Sequence, residues 1–326
     1  QDRLICGEVG FGKTEVALRA SFIVAQNDYQ VCILAPTTVL AKQHFEVFKD
    51  RFSEFPYRTC LLTREQTKTE KAEIYKKIKE NYFSIIIGTH ALFNKEISFM
   101  NLNLLIIDEE HKFGVRQKEK IRSLKNGINV ISLSATPIPR TLNLSLSKVR
   151  DISLITTPPT GRKSVKTIVS RYSKSLVFEA IQREFSRDGQ VFYLLNNVSM
   201  LEAKKKEISE RFPDKTIAFA HGQLRPKELS EVMQSFIRKE IDLLVCTTII
   251  ESGIDIENAN TLIVEESENY GLSQLHQIRG RVGRSHREAY AYFLLNANKE
   301  LKNKASERIE ALQENESLLS GFSLAM

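Results

Sequence analysis

Residues 7–14 read Gly-Glu-Val-Gly-Phe-Gly-Lys-Thr, a full match to the phosphate-loop pattern G-x-x-x-x-G-K-[ST]. An apolar run, Leu4–Cys6, precedes this segment, and a helix-favouring run, Glu15–Ala20, follows it. This strand, glycine loop and helix form the context in which the pattern binds phosphate, because backbone N–H groups close around the oxygens and the helix N-terminus adds its positive end. The alternative is a glycine-rich turn that binds nothing. The segment favours a nucleotide-phosphate site in an α/β domain.

The polar positions of this loop have separate expected roles. The backbone at Gly7, Gly10 and Gly12 is expected to surround the phosphates of a nucleotide. Lys13 would neutralise charge between the β- and γ-phosphates, and Thr14 would hold Mg²⁺ through its hydroxyl. The loop therefore predicts ATP and Mg²⁺ as cofactors.

The composition suits a soluble chain of two ordinary domains. The chain has 326 residues, of which 42% are hydrophobic and 27% charged, and its net charge of +7 favours an anionic partner such as nucleic acid. Its four cysteines lack metal-ligand spacing, and three lie in apolar runs, which favours buried thiols in a reduced, cytoplasmic compartment. No apolar run approaches the ~18 residues of a membrane span, so no membrane partner is expected. The chain starts without Met and is expected to be part of a longer protein.

Apolar strand-like runs alternate with helix-like segments along the first 155 residues. Polar clusters follow four of these runs: Pro36–Thr38, Gly88–His90, Asp108–His111 and Ser134–Thr136. Near-continuous apolar strands between helices predict a parallel sheet covered on both faces, in which ligands bind beyond the carboxyl ends of the strands. The four clusters are therefore expected to meet at one edge, beside the phosphate loop.

An acidic pair, Asp108 and Glu109, stands at the end of one strand. Phosphate-loop enzymes complete their site with such acids: Asp108 is expected to bind Mg²⁺ through water, and Glu109 to polarise the attacking water. The alternative is a solvated pair of turn carboxylates, which leaves their place at a strand end unexplained. His111 could couple this site to its neighbours or serve only the fold.

A second alternating series follows residues 156–165, whose threonines, prolines and glycine are typical of a linker. The series ends in Gln277–Arg284, which holds Arg279, Arg281 and Arg284 within six residues. A solvated basic turn is the default interpretation of such a cluster. With a phosphate loop upstream, an arginine from the second domain could instead stabilise γ-phosphate charge, an effect on the order of 10³–10⁵ in rate.

Together these segments resemble the signature motifs of the superfamily 2 helicases and translocases. The matching segments follow one another in order: Gly7–Thr14, Pro36–Thr38, Gly88–His90, Asp108–His111, Ser134–Thr136, Thr247–Asp255 and Gln277–Arg284. The resemblance implies an α/β fold of two tandem RecA-like domains, each a parallel sheet with helices on both faces, with ATP between them. The expected boundaries are 1–155 for the first lobe, 156–165 for the linker, 166–297 for the second lobe and 298–326 for the start of a truncated helical translocation motif.

The resemblance also implies roles for residues of this chain. Those implied in hydrolysis are Glu109, Gln277, Arg281 and Arg284, and Asp255 is implied in binding the nucleotide. Those implied in contacts to the nucleic-acid backbone are Thr37, Thr38, Thr89, His90, Thr247 and Thr248. Those implied in coupling hydrolysis to movement are His111, Ser134 and Thr136.

Within the superfamily, the segments Asp108–Arg116 and Thr136–Leu142 resemble the RecG-type branch. Residues 157–159, 165–167 and Thr247–Asp255 look more like the translocases of transcription-coupled repair. That likeness implies a double-stranded DNA translocase that displaces stalled RNA polymerase and helps recruit excision-repair proteins through regions outside this chain. A RecG-like fork-regression DNA helicase is the alternative within the branch.

Other classes of function remain open from the residues. A phosphate-loop phosphotransferase would explain the first glycine loop and the acidic pair, although it leaves Gln277–Arg284 unexplained. A non-hydrolytic DNA-binding scaffold and an RNA helicase are further alternatives. The chain also departs from the family pattern at its ends. The segment that helps hold adenine would precede residue 1, and residues 320–326 resemble the start of a loop that follows the family's helical hairpin. We therefore expect weaker ATP binding and translocation from this chain.

Overall fold

The computed structural model describes residues 1–124, 127–135, 150–159, 164–247, 256, 258–283 and 286–296. Within these ranges the chain forms two compact units, the first ending at Thr157 and the second beginning at Pro158. Each unit holds one sheet whose strand pairs are all parallel, with helices packed against it. The predicted fold class, two tandem α/β domains of the RecA-like type, is confirmed.

The first unit contains a seven-stranded sheet, with strand order β3-β4-β2-β5-β6-β1-β7. Its strands are β1 (Asp2–Gly7), β2 (Gln30–Leu34), β3 (Thr59–Leu62), β4 (Ile85–Gly88), β5 (Leu102–Asp108), β6 (Asn129–Ser134) and β7 (Asp151–Ile155). The helices described in this unit are α1 (Lys13–Gln26), α2 (Thr38–Arg51), α3 (Lys68–Lys79) and α4 (Val115–Leu124). This order separates β1 from β5 by a single strand, β6.

The second unit contains a six-stranded sheet, with strand order β10-β11-β9-β12-β13-β8. Its strands are β8 (Val165–Arg171), β9 (Gln190–Leu194), β10 (Ile217–Ala220), β11 (Leu243–Cys246), β12 (Ala259–Val264) and β13 (Ala289–Leu295). The helices described here are α5 (Lys174–Phe185), α6 (Leu201–Arg211), α7 (Pro226–Ile237) and α8 (Leu272–Arg279).

Both faces of the first sheet are covered, which explains its continuous apolar strands. In β2, Val31 and Ile33 belong to one buried apolar cluster, whereas Cys32 and Leu34 belong to another. Alternate residues of a strand point to opposite faces, so each face needs its own apolar set. Among the described helices, none is long and apolar enough to cross a lipid bilayer.

Each unit has a buried glutamine at the start of a central strand, and the side chain of this glutamine hydrogen-bonds to the backbone near the end of a helix. Gln30 begins β2 and donates from Nε2 to two backbone carbonyls near the end of α3, at 2.9 and 3.2 Å. Gln190 begins β9 and donates in the same way near the end of α7, at 2.7 Å to each carbonyl. Asn101 and Asn258, which precede β5 and β12, each donate at 3.1 Å to the carbonyl of the aspartate two residues before the glutamine. Position 30 of the first unit therefore corresponds to position 190 of the second.

The four cysteines are buried free thiols. Burial raises the pKa of Cys6 to about 11 and that of Cys32 to about 12. Because the thiolate is the reactive form, we expect a disulfide reagent such as DTNB to label the folded chain very slowly and all four thiols after unfolding in guanidinium. Rapid labelling before unfolding would show that at least one of these thiols is accessible.

Candidate functional site

The strand order brings the phosphate loop and the acidic pair to the same edge of the first sheet. β1 and β5 both pair in parallel with β6, so the segments that follow these strands lie at the same edge. The register pairs Cys6 with Ser134 and Asp108 with Leu133. The carboxyl edge of a parallel sheet is the usual place for a ligand in α/β domains.

The phosphate loop has a backbone that glycine adopts easily and other residues rarely do. Gly10 has φ 79° and Gly12 has φ 83°, both in the left-handed region. Gly12 directly precedes α1, and no side chain caps that helix. A Cβ atom added to Gly12 would meet no atom within 4 Å, so the backbone conformation, rather than crowding, calls for glycine. This open loop at a helix N-terminus fits a phosphate group.

Lys13 lies across the loop, because its Nζ donates to the backbone carbonyls of Gly7 at 2.6 Å and Glu8 at 2.8 Å. Thr14 follows in the first turn of α1 and is half-buried. The ammonium group therefore stands where phosphates held by the loop would meet it.

Asp108 is buried at the end of β5 and contacts a histidine that the sequence motifs do not single out. The Nε2 atom of His44 lies 2.8 Å from Oδ2 of Asp108, and their side chains are 7% and 13% exposed. An ionised carboxylate only accepts hydrogen bonds, so Nε2 of His44 is the donor. In α2, His44 shares a buried stripe with Leu40 and Phe48. That i, i+4 spacing is the signal that could have marked it as a buried polar residue.

Glu109 has a left-handed backbone, with φ 49° and ψ 52°, a conformation that is costly for a residue with a side chain. Its side chain is 6% exposed, and Nδ1 of His111 lies 3.4 Å from Oε2. That oxygen is buried and accepts no hydrogen bond from the described residues. Burial lowers the pKa of His111, and the charge of Glu109 opposes that effect. An unsatisfied buried carboxylate oxygen on a strained turn is suited to orienting a ligand or a water molecule.

The next acid along the chain, Glu110, is used inside the first unit. Its Oε2 accepts hydrogen bonds from Oγ of Ser132 at 2.8 Å and from Nη1 of Arg150 at 2.9 Å. Arg150 also donates to Asp2 at the start of β1. Glu110 therefore links β6 to Arg150, and through Arg150 to β1, a role that the sequence does not reveal.

Four residues implied in nucleic-acid contacts follow β2 and β4, at the same edge of the first sheet. Oγ1 of Thr37 accepts from the backbone N–H of Leu40 at 3.3 Å and caps α2, whose first residue is Thr38. Thr89 is 2% exposed, so its side chain does not reach the surface. His90 is exposed. Thr37 and Thr38 are therefore partly exposed to solvent and His90 is exposed, whereas the side chain of Thr89 is buried.

A basic pocket of about 270 Å³ opens beside His90, lined also by Arg64, Lys71, Lys120 and Tyr75. Burial and the charges of Arg64, Lys120 and Lys71 lower the pKa of His90. A concave site with this charge suits an anion such as a phosphate group.

In the second unit, the arginines of the basic cluster have different surroundings. Arg279 donates from Nη1 to Oγ1 of Thr167 at 3.2 Å, and its Nη2 lies 3.1 Å from Nδ1 of His276. Burial and Arg279 lower the pKa of His276 to about 4. Arg281 is 3% exposed, and Gln277 is half-buried on α8. Arg279 therefore serves the fold.

Other predicted site residues lie elsewhere. Ser134 is buried at the end of β6, and Thr247 is half-buried after β11. Thr136, Thr248, Asp255 and Arg284 lie outside the described residues.

The turn that carries Glu109 has a counterpart in the second unit. Glu266 is the second residue after β12 and has φ 48°, against 49° for Glu109, and a short 3-10 helix follows each of them. Further along, two glycines make the same contact: the N–H of Gly114 donates to Oε1 of Gln117 at 3.0 Å, and the N–H of Gly271 donates to Oε1 of Gln274 at 3.0 Å. The turn of Glu109 therefore corresponds to the turn of Glu266.

Comparison with protein families matches both units. Residues 1–144 match the family described as DEAD/DEAH box helicase, and residues 174–286 match the helicase conserved C-terminal domain. A protein of Staphylococcus epidermidis named transcription-repair-coupling factor is 51% identical over 325 residues, which are 100% of this chain and 28% of that protein. The protein of the same name from Escherichia coli K12 is 48% identical over 99% of this chain and 28% of its own length. The chain thus spans about 28% of the length of these relatives.

Solved structures resemble the chain over nearly its whole length. RecG bound to a three-way DNA junction superposes with a TM-score of 0.81 and 34% identity, covering 99% of this chain and 43% of that one. Dbp5 of S. cerevisiae bound to RNA and ADP BeF3 gives a TM-score of 0.72 at 15% identity, covering 98% and 83%. The second likeness shows the fold alone.

Proposed function

This chain belongs to the superfamily 2 helicases, and from that premise we propose that it is the motor segment of a double-stranded DNA translocase of transcription-coupled repair. The two helicase domains that match the chain are ATPase domains, so ATP is its nucleotide. Relatives named transcription-repair-coupling factor, 48 to 51% identical across the chain, support the finer assignment. Displacement of RNA polymerase and recruitment of excision-repair proteins would use regions outside this chain.

The observation that carries the proposal is the phosphate loop standing beside the buried Asp108–Glu109 pair at one sheet edge. Gly7, Gly10, Gly12 and Lys13 would bind the phosphates, with Asp255 as a further nucleotide contact. Mg²⁺ would be held by Thr14 and Asp108, whose hydroxyl and carboxylate oxygens are the donors it prefers. Among the described residues no cluster of three or more acidic, histidine or cysteine side chains could hold a metal alone, so phosphate oxygens would complete the site.

Hydrolysis requires a group that orients water and charge that stabilises the leaving phosphate. When bound, Mg²⁺ neutralises charge on the β- and γ-phosphate oxygens. Glu109 would accept a proton from the attacking water, which its unsatisfied Oε2 supports. Arg281, Arg284 and Gln277 of the second unit would act on the γ-phosphate, and His111, Ser134 and Thr136 would couple hydrolysis to movement.

The chain would bind DNA through contacts to the phosphate backbone. Its expected contacts are Thr37, Thr38, His90, Thr247 and Thr248, and Thr89 is left out because its side chain is enclosed. The basic pocket beside His90 supports an anionic partner on the first unit. Contacts to phosphates position a protein without reading the base sequence, so the affinity should fall as salt is raised.

We expect double-stranded DNA to stimulate ATP hydrolysis by this chain more than single-stranded DNA or RNA of equal length. Steady-state phosphate release with each nucleic acid at low and raised salt measures this. Greater stimulation by RNA would overturn the substrate assignment. Transfer of phosphate to a small acceptor instead of water would point to a phosphotransferase.

A RecG-like fork-regression helicase is the second candidate, favoured by the 34% identity to RecG bound to a three-way DNA junction. The two candidates differ in the DNA that drives the motor. Stimulation by a three-way junction well above that of a linear duplex with the same number of base pairs would favour the RecG-like function. Equal stimulation would favour translocation along duplex DNA.

A further inference from the structure

A basic side chain holds the acid at the end of a central strand in both units. In the first unit, Nε2 of His44 lies 2.8 Å from Oδ2 of Asp108, and in the second, Nζ of Lys204 lies 2.9 Å from Oε1 of Glu265. Exposure is also alike, with 7% and 13% for the side chains of the first pair and 10% and 12% for those of the second. The two contacts are alike in length and burial, but they differ in the basic group and in the length of the acid.

The two pairs occupy corresponding positions. His44 follows Gln30 by the same number of residues as Lys204 follows Gln190, and these glutamines begin equivalent strands. Each acid directly precedes the left-handed glutamate of its turn. Both units therefore place a hydrogen-bond donor at this helix position. The donor is His44 of α2 in the first unit and Lys204 of α6 in the second.

The second pair shows what a lysine does at this position. Lys204 also contacts the hydroxyl of Tyr172 and the carboxylate of Glu207, both at 3.1 Å, while Tyr193 donates to Glu265. Glu265 is therefore neutralised by a full positive charge and a second donor. Such a carboxylate is bound within the fold and is a poor ligand for a cation.

In the first unit, His44 Nε2 donates to a single oxygen, Oδ2 of Asp108, and both side chains are buried where β5 ends. We propose that His44 is a positioning residue, whose hydrogen bond fixes the carboxylate of Asp108 in the orientation that binds Mg²⁺. The proposal depends on the function proposed above, in which Asp108 is a magnesium ligand. Hydrogen bonds that orient a metal ligand typically change metal affinity by about 10- to 100-fold when removed.

Three substitutions of His44 test separately the size of the side chain, its hydrogen-bond donor and its charge. His44→Gln supplies an uncharged N–H of comparable reach, His44→Phe keeps a ring without a donor, and His44→Lys copies the second unit. The measured quantity is the affinity of this chain for a fluorescent ADP, determined from the fluorescence of the nucleotide at increasing Mg²⁺ concentrations. Binding in EDTA and thermal unfolding by circular dichroism report on the phosphate loop and on folding.

We expect His44→Gln to keep a Mg²⁺ dependence close to wild type. His44→Phe should raise the Mg²⁺ concentration for half-maximal effect by about 10-fold or more, with ADP binding in EDTA unchanged. His44→Lys should raise it at least as far, because a lysine here would hold Asp108 within the fold as Lys204 holds Glu265. A purely structural role would lower thermal stability without moving the Mg²⁺ dependence.

The variant Asp108→Asn separates failure of this proposal from failure of the proposed function. If Asp108→Asn keeps the wild-type Mg²⁺ dependence, Asp108 is no magnesium ligand and both proposals fall. If Asp108→Asn loses that dependence while His44→Phe and His44→Lys retain it, the role of His44 alone is overturned. If His44→Phe does not fold, the comparison uses the other two variants. Equal Mg²⁺ dependence of His44→Lys and His44→Gln would also overturn the proposed role of His44.

Discussion

Replacing Glu109 by glutamine is expected to lower ATP hydrolysis by about 10²- to 10⁴-fold, the usual contribution of a general base, while ADP binding stays close to wild type. Glutamine has nearly the same size, so it should fit the left-handed turn at φ 49° with little change in folding. It cannot take a proton from water. Phosphate release at saturating ATP with double-stranded DNA measures the first effect, and fluorescent ADP binding measures the second.

Glu110→Gln is the matched control for this experiment. Glu110 lies next in the chain, but its Oε2 accepts from Ser132 and Arg150 within the fold. We expect the control to change thermal stability and to leave the hydrolysis rate within the same order of magnitude. An unchanged rate in Glu109→Gln would remove Glu109 from the catalytic assignment, and a loss in Glu110→Gln alone would transfer the role to its neighbour.

Replacing Glu184 by alanine is expected to destabilise the second unit by about 1–3 kcal/mol, the usual cost of leaving a buried hydrogen-bonding group without its partner. The side chain of Glu184 is fully buried and accepts from Nε of Arg187 at 3.1 Å and from Oγ1 of Thr261. A Cβ atom at Gly189 would overlap Oε1 of Glu184, so even the neighbouring turn is shaped around this carboxylate. The loss would leave the buried hydroxyl of Thr261 without its acceptor and a cavity beneath α5.

The same helix offers a matched control. Glu179 pairs with Arg183 at 3.6 Å, and its side chain is 70% exposed, so Glu179→Ala should cost less than about 1 kcal/mol. Because the chain has two units, the measurement should follow the second unit alone, by hydrogen exchange of its amides in increasing urea and mass spectrometry. Equal urea midpoints for the two variants would show that the buried pair contributes no more than the exposed one.

In the first unit, the sequence indicates the strands that are covered on both faces and gives little sign of the edge strands β3 and β7, for a physical reason. Strands such as β5 are covered on both faces, so they appear as continuous apolar runs. β7 (Asp151–Ile155) lies at the edge of its sheet and has no fully buried residue, with Leu154 42% exposed. β3, at the other edge, alternates between buried and half-buried residues over only four positions. Such short, partly exposed strands leave little pattern to detect.

Some features of the site depend on residues that are adjacent in the chain, and others depend on residues that only the fold brings together. The phosphate loop and the Asp108–Glu109 pair follow from local patterns, because each depends on residues adjacent in the chain. The local motif predicts Glu109 as the acid that acts on water, whereas the use of Glu110 within the fold depends on Ser132 and Arg150, 22 and 40 positions away in the chain. The contact between His44 and Asp108 joins residues 64 positions apart and requires the fold.

The shared plan of the two units has a consequence for nucleotide stoichiometry. The correspondence of Gln30 with Gln190 is the pattern expected after duplication of an ancestral gene, in which one copy retained the chemistry and the other diverged. In the second copy, only Tyr172 and Ser173 connect the first strand, β8, to α5, which leaves no space for a glycine loop. Equilibrium binding should therefore saturate at one nucleotide per chain.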